Sequence, residues 1–274
     1  MTSTEENIFL ARVAEQAERF EDMVDFLSKV LDEKGGDVTA DERNLLSVAF
    51  KNLISSKRAA CRTIAAIEQN PKYSKFGGAL ADYKQGIEKK LIEDCEQVIR
   101  IIKEKVLAKS CDGEAKAFFI KMVGDYYRYI AENAKDSKLE EVKQEALKAY
   151  DEANGIAMQP CNPIKLGLAL NFSVFHYEVM KNHKSACDLA DKALQEALDK
   201  IDELEEEDFR DAKSIIELLK ENLTLWKDEE EDDNNQLDDM WAGLTKSSRR
   251  QAWLSGFQAI LTKLETTLTE DLQP

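Results

Sequence analysis

Apolar residues recur at three- and four-residue intervals from one end of this chain to the other, and no stretch reads as a strand. The first two amphipathic segments predict helices over about residues 4–17 and 20–34. Gly35 and Gly36 stop the second. Thr39 then supplies an N-cap, with Glu42 three residues on to complete a capping box. From there to about Gln69 no breaker interrupts the pattern, which predicts a helix about 45 Å long at 1.5 Å per residue. "NPKYSKFGG" ends it. A further helix is predicted over about 78–108, "KSCDGE" breaks again, and helices follow at about 113–134, 138–157, 164–181, 185–203 and 207–227. Nine helices with short connections predict an all-α fold of antiparallel neighbours in a layered bundle. A solenoid of helix pairs is the second architecture considered, but no fixed period of 34 residues and no repeat signature is found.

After Trp226 the pattern changes. "KDEEEDDNN" carries six consecutive acids and predicts a disordered linker over 228–236. Beyond it the chain turns apolar again. Leu237, Met240, Trp241 and Leu244 form one stripe, and Trp253, Phe257, Ile260, Leu261, Leu264 and Leu268 a second. The reading is of a helical domain over 1–227, the acidic linker, and an amphipathic tail over 237–274 with room for an extra helix.

Composition narrows the function classes. The chain has 274 residues and a formal net charge of -16, so nucleic acid and anionic membrane surfaces are not expected partners. Its five cysteines, Cys61, Cys95, Cys111, Cys161 and Cys187, form no CxxC pair. A disulfide framework or a zinc cluster is therefore not expected, and a reduced, cytoplasmic setting is. The N-terminus lacks an apolar core of the signal-peptide kind, and no run approaches 18 apolar residues. With only His176 and His183, no Gly-rich phosphate loop and no nucleophile–base spacing, the chain is not expected to be an enzyme, and no cofactor or metal is expected. His176 lies in an apolar run and reads as a packed core residue.

Against that acidic background two rows of cations stand out. In "KMVGDYYRYIAE", Lys121 and Arg128 are seven residues apart and share one helical face with Asp125 and Tyr129. Asp125 lies three residues before Arg128, where it can hold the guanidinium. In the long third helix Lys51, Arg58 and Arg62 are spaced by seven and four and project along nearly one line. Cations aligned without interleaved acids repel one another. Two such rows on adjacent helices read either as solvated faces or as a site for an anion, with Arg suited to gripping phosphate through its planar fork. Further on, Leu170 and Val174, and Ile215, Leu218 and Leu225, form apolar faces interrupted by Asn171 and Asn222. These faces are either core, with the Asn residues satisfied locally, or a wall whose amides bond an extended peptide.

The segments "AEQAERFEDM", "DERNLLSVAFKN", "GDYYRYIAE", "NPIKLGLALNFSVFHYE" and "ENLTLW" resemble the signature segments of the 14-3-3 proteins over about residues 5–227. The resemblance implies nine antiparallel helices with a concave groove, a homodimer, and binding of phosphoserine or phosphothreonine peptides by an adaptor that sequesters or regulates clients. It implies a phosphate pocket of Arg58, Arg128 and Tyr129 with Lys51 beside it, and Arg62 and Lys121 as supporting cations. It gives Asn171 and Asn222 the peptide main chain, with Glu178 and Trp226 alongside, and Leu170, Val174, Ile215, Leu218 and Leu225 the apolar wall. The dimer contacts of the family fall on Leu10, Val13, Ala14, Arg19, Asp22, Ala60, Tyr83, Gly86, Ile87 and Lys90. Here Arg19 would face Lys90 and Asp22 would face Gly86, so a weakened dimer is expected. The tail segment "LDDMWAGL" sets Asp238 and Asp239 beside Trp241, a combination suited to occupying the groove without phosphate. The alternative function is a helical scaffold binding unmodified partners through the tail or an outer surface.

Overall fold

Thr39 and Glu42 show how local chemistry sets the element boundaries. The Glu42 amide donates to the Thr39 hydroxyl at 3.2 Å, and the Thr39 amide donates to the Glu42 carboxylate at 2.9 Å. The predicted capping box thus starts the third helix. The computed structural model describes residues 3–109, 111, 113–201, 204 and 206–234. The helices are α1 (Ser3–Gln16), α2 (Phe20–Lys34), α3 (Ala40–Glu68), α4 (Gly77–Ile101), α5 (Gly113–Ala131), α6 (Asp136–Asn154), α7 (Pro163–Glu178), α8 (His183–Leu198) and α9 (Glu206–Asn234). A 3-10 turn over Pro71–Phe76 links α3 to α4, opened by the Asn70 side chain accepting from the Lys72 amide. Among the described residues there is no strand, and no helix is long and apolar enough to cross a membrane.

The chain divides into two compact units. One runs to Gln159 and takes in Val174–Lys181; the other holds Pro160–Ser173 and the chain from Asn182 onward. In the first unit successive helices are neighbours: α1 on α2, α2 on α3, α3 on α4, α4 on α5 and α5 on α6. Its core includes Met23, Leu27, Leu46, Phe50, Leu91, Phe119 and Tyr150, which fall on the apolar stripes of those helices. In the second unit α8 packs on α9, and Leu166, Leu168, Phe172, Ile216, Leu219 and Trp226 are buried.

Two elements differ from the sequence reading. The stretch predicted as one helix to about 108 changes at Ile102 into a π-helical turn reaching Leu107, in which the Ala108 amide donates to the Lys103 carbonyl at 3.0 Å. The wider turn presents lysines to α2. Lys105 Nζ bonds the Ser28 hydroxyl at 2.7 Å and the Asp32 carboxylate at 2.8 Å. Lys109 Nζ donates to the carbonyls of Leu31 and Asp32 at the end of α2, the first of which also accepts from the Gly35 amide. Gly35, at φ +63, closes that helix, and a side chain there would meet Lys109. The second difference is α9, which continues to Asn234, past the point at 228 where the sequence suggests a linker. The acidic run contains neither Gly nor Pro to stop a helix. The tail stripes beyond 234 lie outside the described residues.

The positions that the family resemblance gives to dimer contacts are mostly open in this single chain. Leu10, Val13 and Tyr83 are 39%, 46% and 65% exposed, and Phe9 beside them is 65% exposed. Ala14 is buried, while Ala60 and Ile87 are partly covered. Lys90 and Gly86 are exposed, and a Cβ added at Gly86 would meet nothing. Arg19 pairs with Asp22 of the same chain.

Replacing Thr39 by Ala removes one half of the capping box. The expected cost is about 1 kcal/mol, read as a lower urea midpoint with an unchanged m-value.

Candidate functional site

Arg58 and Arg62 of α3 and Arg128 of α5 converge on one carboxylate, that of Glu132. Arg58 Nη2 donates to Glu132 Oε1 at 2.8 Å and to Oε2 at 3.1 Å, and its Nε lies 3.4 Å from Oε2. Arg128 Nη1 comes within 3.6 Å of the same carboxylate and Arg62 Nη2 within 3.7 Å. Tyr129 lies between the first two. The Arg58 guanidinium carbon sits 3.9 Å from its ring centroid and that of Arg128 4.6 Å. One aromatic ring therefore contacts both forks through cation–π interaction, which suits the flat guanidinium.

A second layer fixes Arg128, which is only 3% exposed. Its Nε donates to the Tyr150 hydroxyl at 3.3 Å, and that hydroxyl donates to Asp125 Oδ1 at 2.7 Å. Lys121 Nζ holds the other oxygen of Asp125 at 2.8 Å. The direct Asp125–Arg128 pair expected from the i,i+3 spacing is long, at 4.0 Å. Asp125 grips Arg128 mainly through Tyr150, which comes from α6. Gly124 makes this possible: a Cβ there would stand 2.9 Å from the Tyr150 ring. The helix backbone must be bare at that point for the phenol to enter.

Charge and burial act together. Partial burial opposes ionisation of Glu132, but Arg58, Arg128 and Arg62 outweigh it and hold the carboxyl below its usual range. Burial likewise opposes the charge on Arg58, and Glu132 reverses the effect, so its pKa is raised. Glu178, on α7 within the same unit, moves the other way. Burial and then the charge of Glu132 raise its pKa, against the three arginines. Burial lowers Lys51 to about 8.

Leu170, Asn171, Ile215, Leu218, Asn222, Leu225 and Trp226 belong to the second unit, and Val174 to the first. Leu170, Val174, Leu218 and Trp226 are buried. Asn171, Ile215 and Leu225 are partly exposed. Asn222 is 2% exposed, and its amide nitrogen has no hydrogen-bond partner among the described residues. A buried amide donor without a hydrogen-bond partner is costly. No group of side chains suited to holding a metal ion occurs among the described residues.

Arg58, Arg62, Arg128, Tyr129, Asp125 and Lys121, all candidates from the sequence, are joined here by Glu132 and Tyr150, which the sequence reading passed over. Glu132 had a signal: it stands one turn after Arg128, in the same quoted segment. Tyr150 had none, because its place depends on how α6 lies against α5.

A family description named "14-3-3 protein" matches residues 10–227. The chain is 44% identical over 238 residues to 14-3-3 protein 2 of Entamoeba histolytica, covering 85% of this chain and 100% of that protein. It is 41% identical over 239 residues to 14-3-3-like protein C of Nicotiana tabacum, covering 85% of this chain and 92% of the relative. It is 42% identical over 237 residues to a 14-3-3-like protein of Helianthus annuus, covering 84% and 92%.

Gly124→Ala forces a methyl group against the Tyr150 ring. The expected loss of stability is about 1–3 kcal/mol. Denaturant unfolding followed by circular dichroism checks it, and a variant as stable as the parent means that Tyr150 has room to withdraw.

Proposed function

Because the chain belongs to the 14-3-3 family, we propose that it is an adaptor that binds phosphoserine or phosphothreonine segments of client proteins and so sequesters or regulates them. The observation that carries this reading is the convergence of Arg58 and Arg128 on one anionic group, with Tyr129 stacked by both. A phosphoseryl group brings a charge of about -1.5 to -2 and three acceptor oxygens. Guanidinium forks answer these with short charge-assisted bonds. An unmodified serine offers such forks only a neutral hydroxyl, so the site reads the modification. Lys51, Arg58, Arg128 and Tyr129 are the phosphate ligands in this reading, with Arg62, Lys121 and Asp125 in support. Asn171 and Asn222 bond the peptide main chain beside Glu178 and Trp226. Leu170, Val174, Ile215, Leu218 and Leu225 take its apolar side chains. The open amide of Asn222 supports its part. The family is one of non-enzymatic adaptors.

The finer readings are proposals of the same kind. The chain forms a homodimer through its exposed Leu10, Val13 and Tyr83. That dimer is weaker than usual for the family, because Arg19 would meet Lys90 and Asp22 would meet Gly86; the pairing of Arg19 with Asp22 of its own chain supports this. A cytoplasmic location goes with an adaptor of this type. The amphipathic tail occupies the groove, with Asp238 and Asp239 presenting two neighbouring carboxylates to the cations as a substitute for phosphate. That segment lies outside the described residues, and its two adjacent acids are what support the idea. The second functional reading, a scaffold for unmodified partners, rests on the same tail.

In fluorescence titrations at two salt concentrations, a phosphoserine peptide is expected to bind and its dephosphorylated control to fail. Arg58→Ala and Arg128→Glu are each expected to abolish binding while the far-UV circular dichroism stays helical. Equal binding of the two peptides sinks the phospho-dependent reading and favours the scaffold. Deletion of residues 228–274 is expected to tighten phosphopeptide binding; unchanged affinity removes the autoinhibitory tail.

A further inference from the structure

Glu132 presents a problem for any anion that enters this site. It already lies on Arg58 through two oxygens, and within 4 Å of Arg62 and Arg128. Its side chain is 20% exposed and that of Arg58 12%, so water screens the group only in part. Of the two other acids nearby, Asp125 is engaged by Lys121 and Tyr150, and Glu178 is pushed by burial and by the charge of Glu132 toward its neutral form. Three guanidiniums are thus compensated chiefly by one carboxylate, which they in turn keep ionised.

We infer that Glu132 is a resident counter-ion, which stands in for the ligand's charge in the empty site and lowers the site's affinity for phosphate. The inference rests on the phosphate-binding reading above. Its physical basis is that one carboxylate does two opposed things. In the empty protein it relieves repulsion among three partly desolvated cations, and so stabilises the fold. Once a phosphoryl group sits among the same guanidiniums, the carboxylate is a like charge at close range, and it still holds one edge of the Arg58 fork. It is not needed to keep the arginines in place. Arg58 and Arg128 are both stacked on Tyr129, and Arg128 is also bonded to Tyr150. A glutamine at this position has nearly the same shape and keeps an oxygen for Arg58 Nη2. Glu132→Gln therefore removes the charge and keeps one acceptor, while its amide NH2 replaces an oxygen that now faces guanidinium donors.

The test compares the full-length chain with its Glu132→Gln variant, using a phosphoserine peptide, its dephosphorylated control and inorganic phosphate. The variant is expected to have a lower Tm without ligand, yet to bind the phosphopeptide at least about tenfold more tightly, since unit charges a few ångströms apart in a partly buried site repel by more than that factor requires. Inorganic phosphate is expected to raise its Tm more than that of the parent. Lower Tm together with unchanged or weaker binding marks Glu132 as a mere support for the arginines and overturns the inference. If the variant does not fold alone, the inference requires that added inorganic phosphate restore its helical circular dichroism; no recovery also overturns it. Failure of the parent chain to distinguish the phosphorylated peptide from its control is a different result, and removes the function on which the inference stands.

Discussion

Mutual repulsion among Arg58, Arg62 and Arg128 is the constraint around which the first unit is organised. Their contacts with Glu132 fall between 2.8 and 3.7 Å. Without compensation, such a cluster would force the two helices that carry it apart or drive its side chains out into water. The structure answers with one carboxylate at the point of convergence and one aromatic ring between the forks. It also adds a relay from Asp125 through Tyr150 to Arg128. Each answer comes from a different kind of chemistry: charge, polarisable ring face and hydrogen bond. The ring contacts and the relay do not involve Glu132, and on this the proposed separation of its charge from the placement of the arginines rests.

The relay ties the site to the helix packing beneath it. Tyr150 is fully buried on α6, and its hydroxyl reaches α5 only because Gly124 has no side chain. The close approach of α5 and α6 and the orientation of Arg128 are therefore one feature of the fold. Elsewhere the same economy of side chains is seen at the end of α2. There Gly35 turns the chain, and Lys109, arriving from beyond the π-helical turn, bonds the carbonyls of Leu31 and Asp32. In both places a glycine leaves the space that a distant side chain then uses. In the phosphate-binding reading proposed above, a rigid floor under Arg128 matters because a fork already oriented loses less entropy when it closes on an anion.

Much of this was legible in the residue order, for a physical reason. Helix positions are set by local rules: the Thr39–Glu42 box, the Gly35 stop and the unbroken run that follows were all read from neighbouring residues. The same holds for the cation rows, since residues seven and eleven apart on one helix share a line whatever lies opposite. What stayed hidden depends on contacts distant in sequence. Tyr150 is 22 residues from Arg128, and no spacing rule relates residues on two different helices. The π-helical turn was missed because a change from α to π hydrogen bonding leaves the apolar period almost unaltered over six residues. Asp125 shows a subtler error. The i,i+3 rule placed it near Arg128 correctly, but could not say that Lys121 and Tyr150 would claim its oxygens first.

The balance of charge in the site also bears on why a protein this acidic can hold cations in reserve. The net charge of -16 is carried by the whole chain, and solvent screens most of it beyond about 10 Å at ordinary salt. Inside the cluster, burial weakens that screening, and close neighbours dominate. Lys51 feels burial more than any partner and falls to about 8, so at neutral pH it remains mostly charged but is easily discharged a little above it. The arginines cannot be discharged in that way. A cluster built on guanidiniums keeps its charge when desolvated, and needs an internal acid such as Glu132 to be tolerable while empty. A cluster built on lysines would shed protons instead, and would lose its grip on an anion by the same step that relieved its strain.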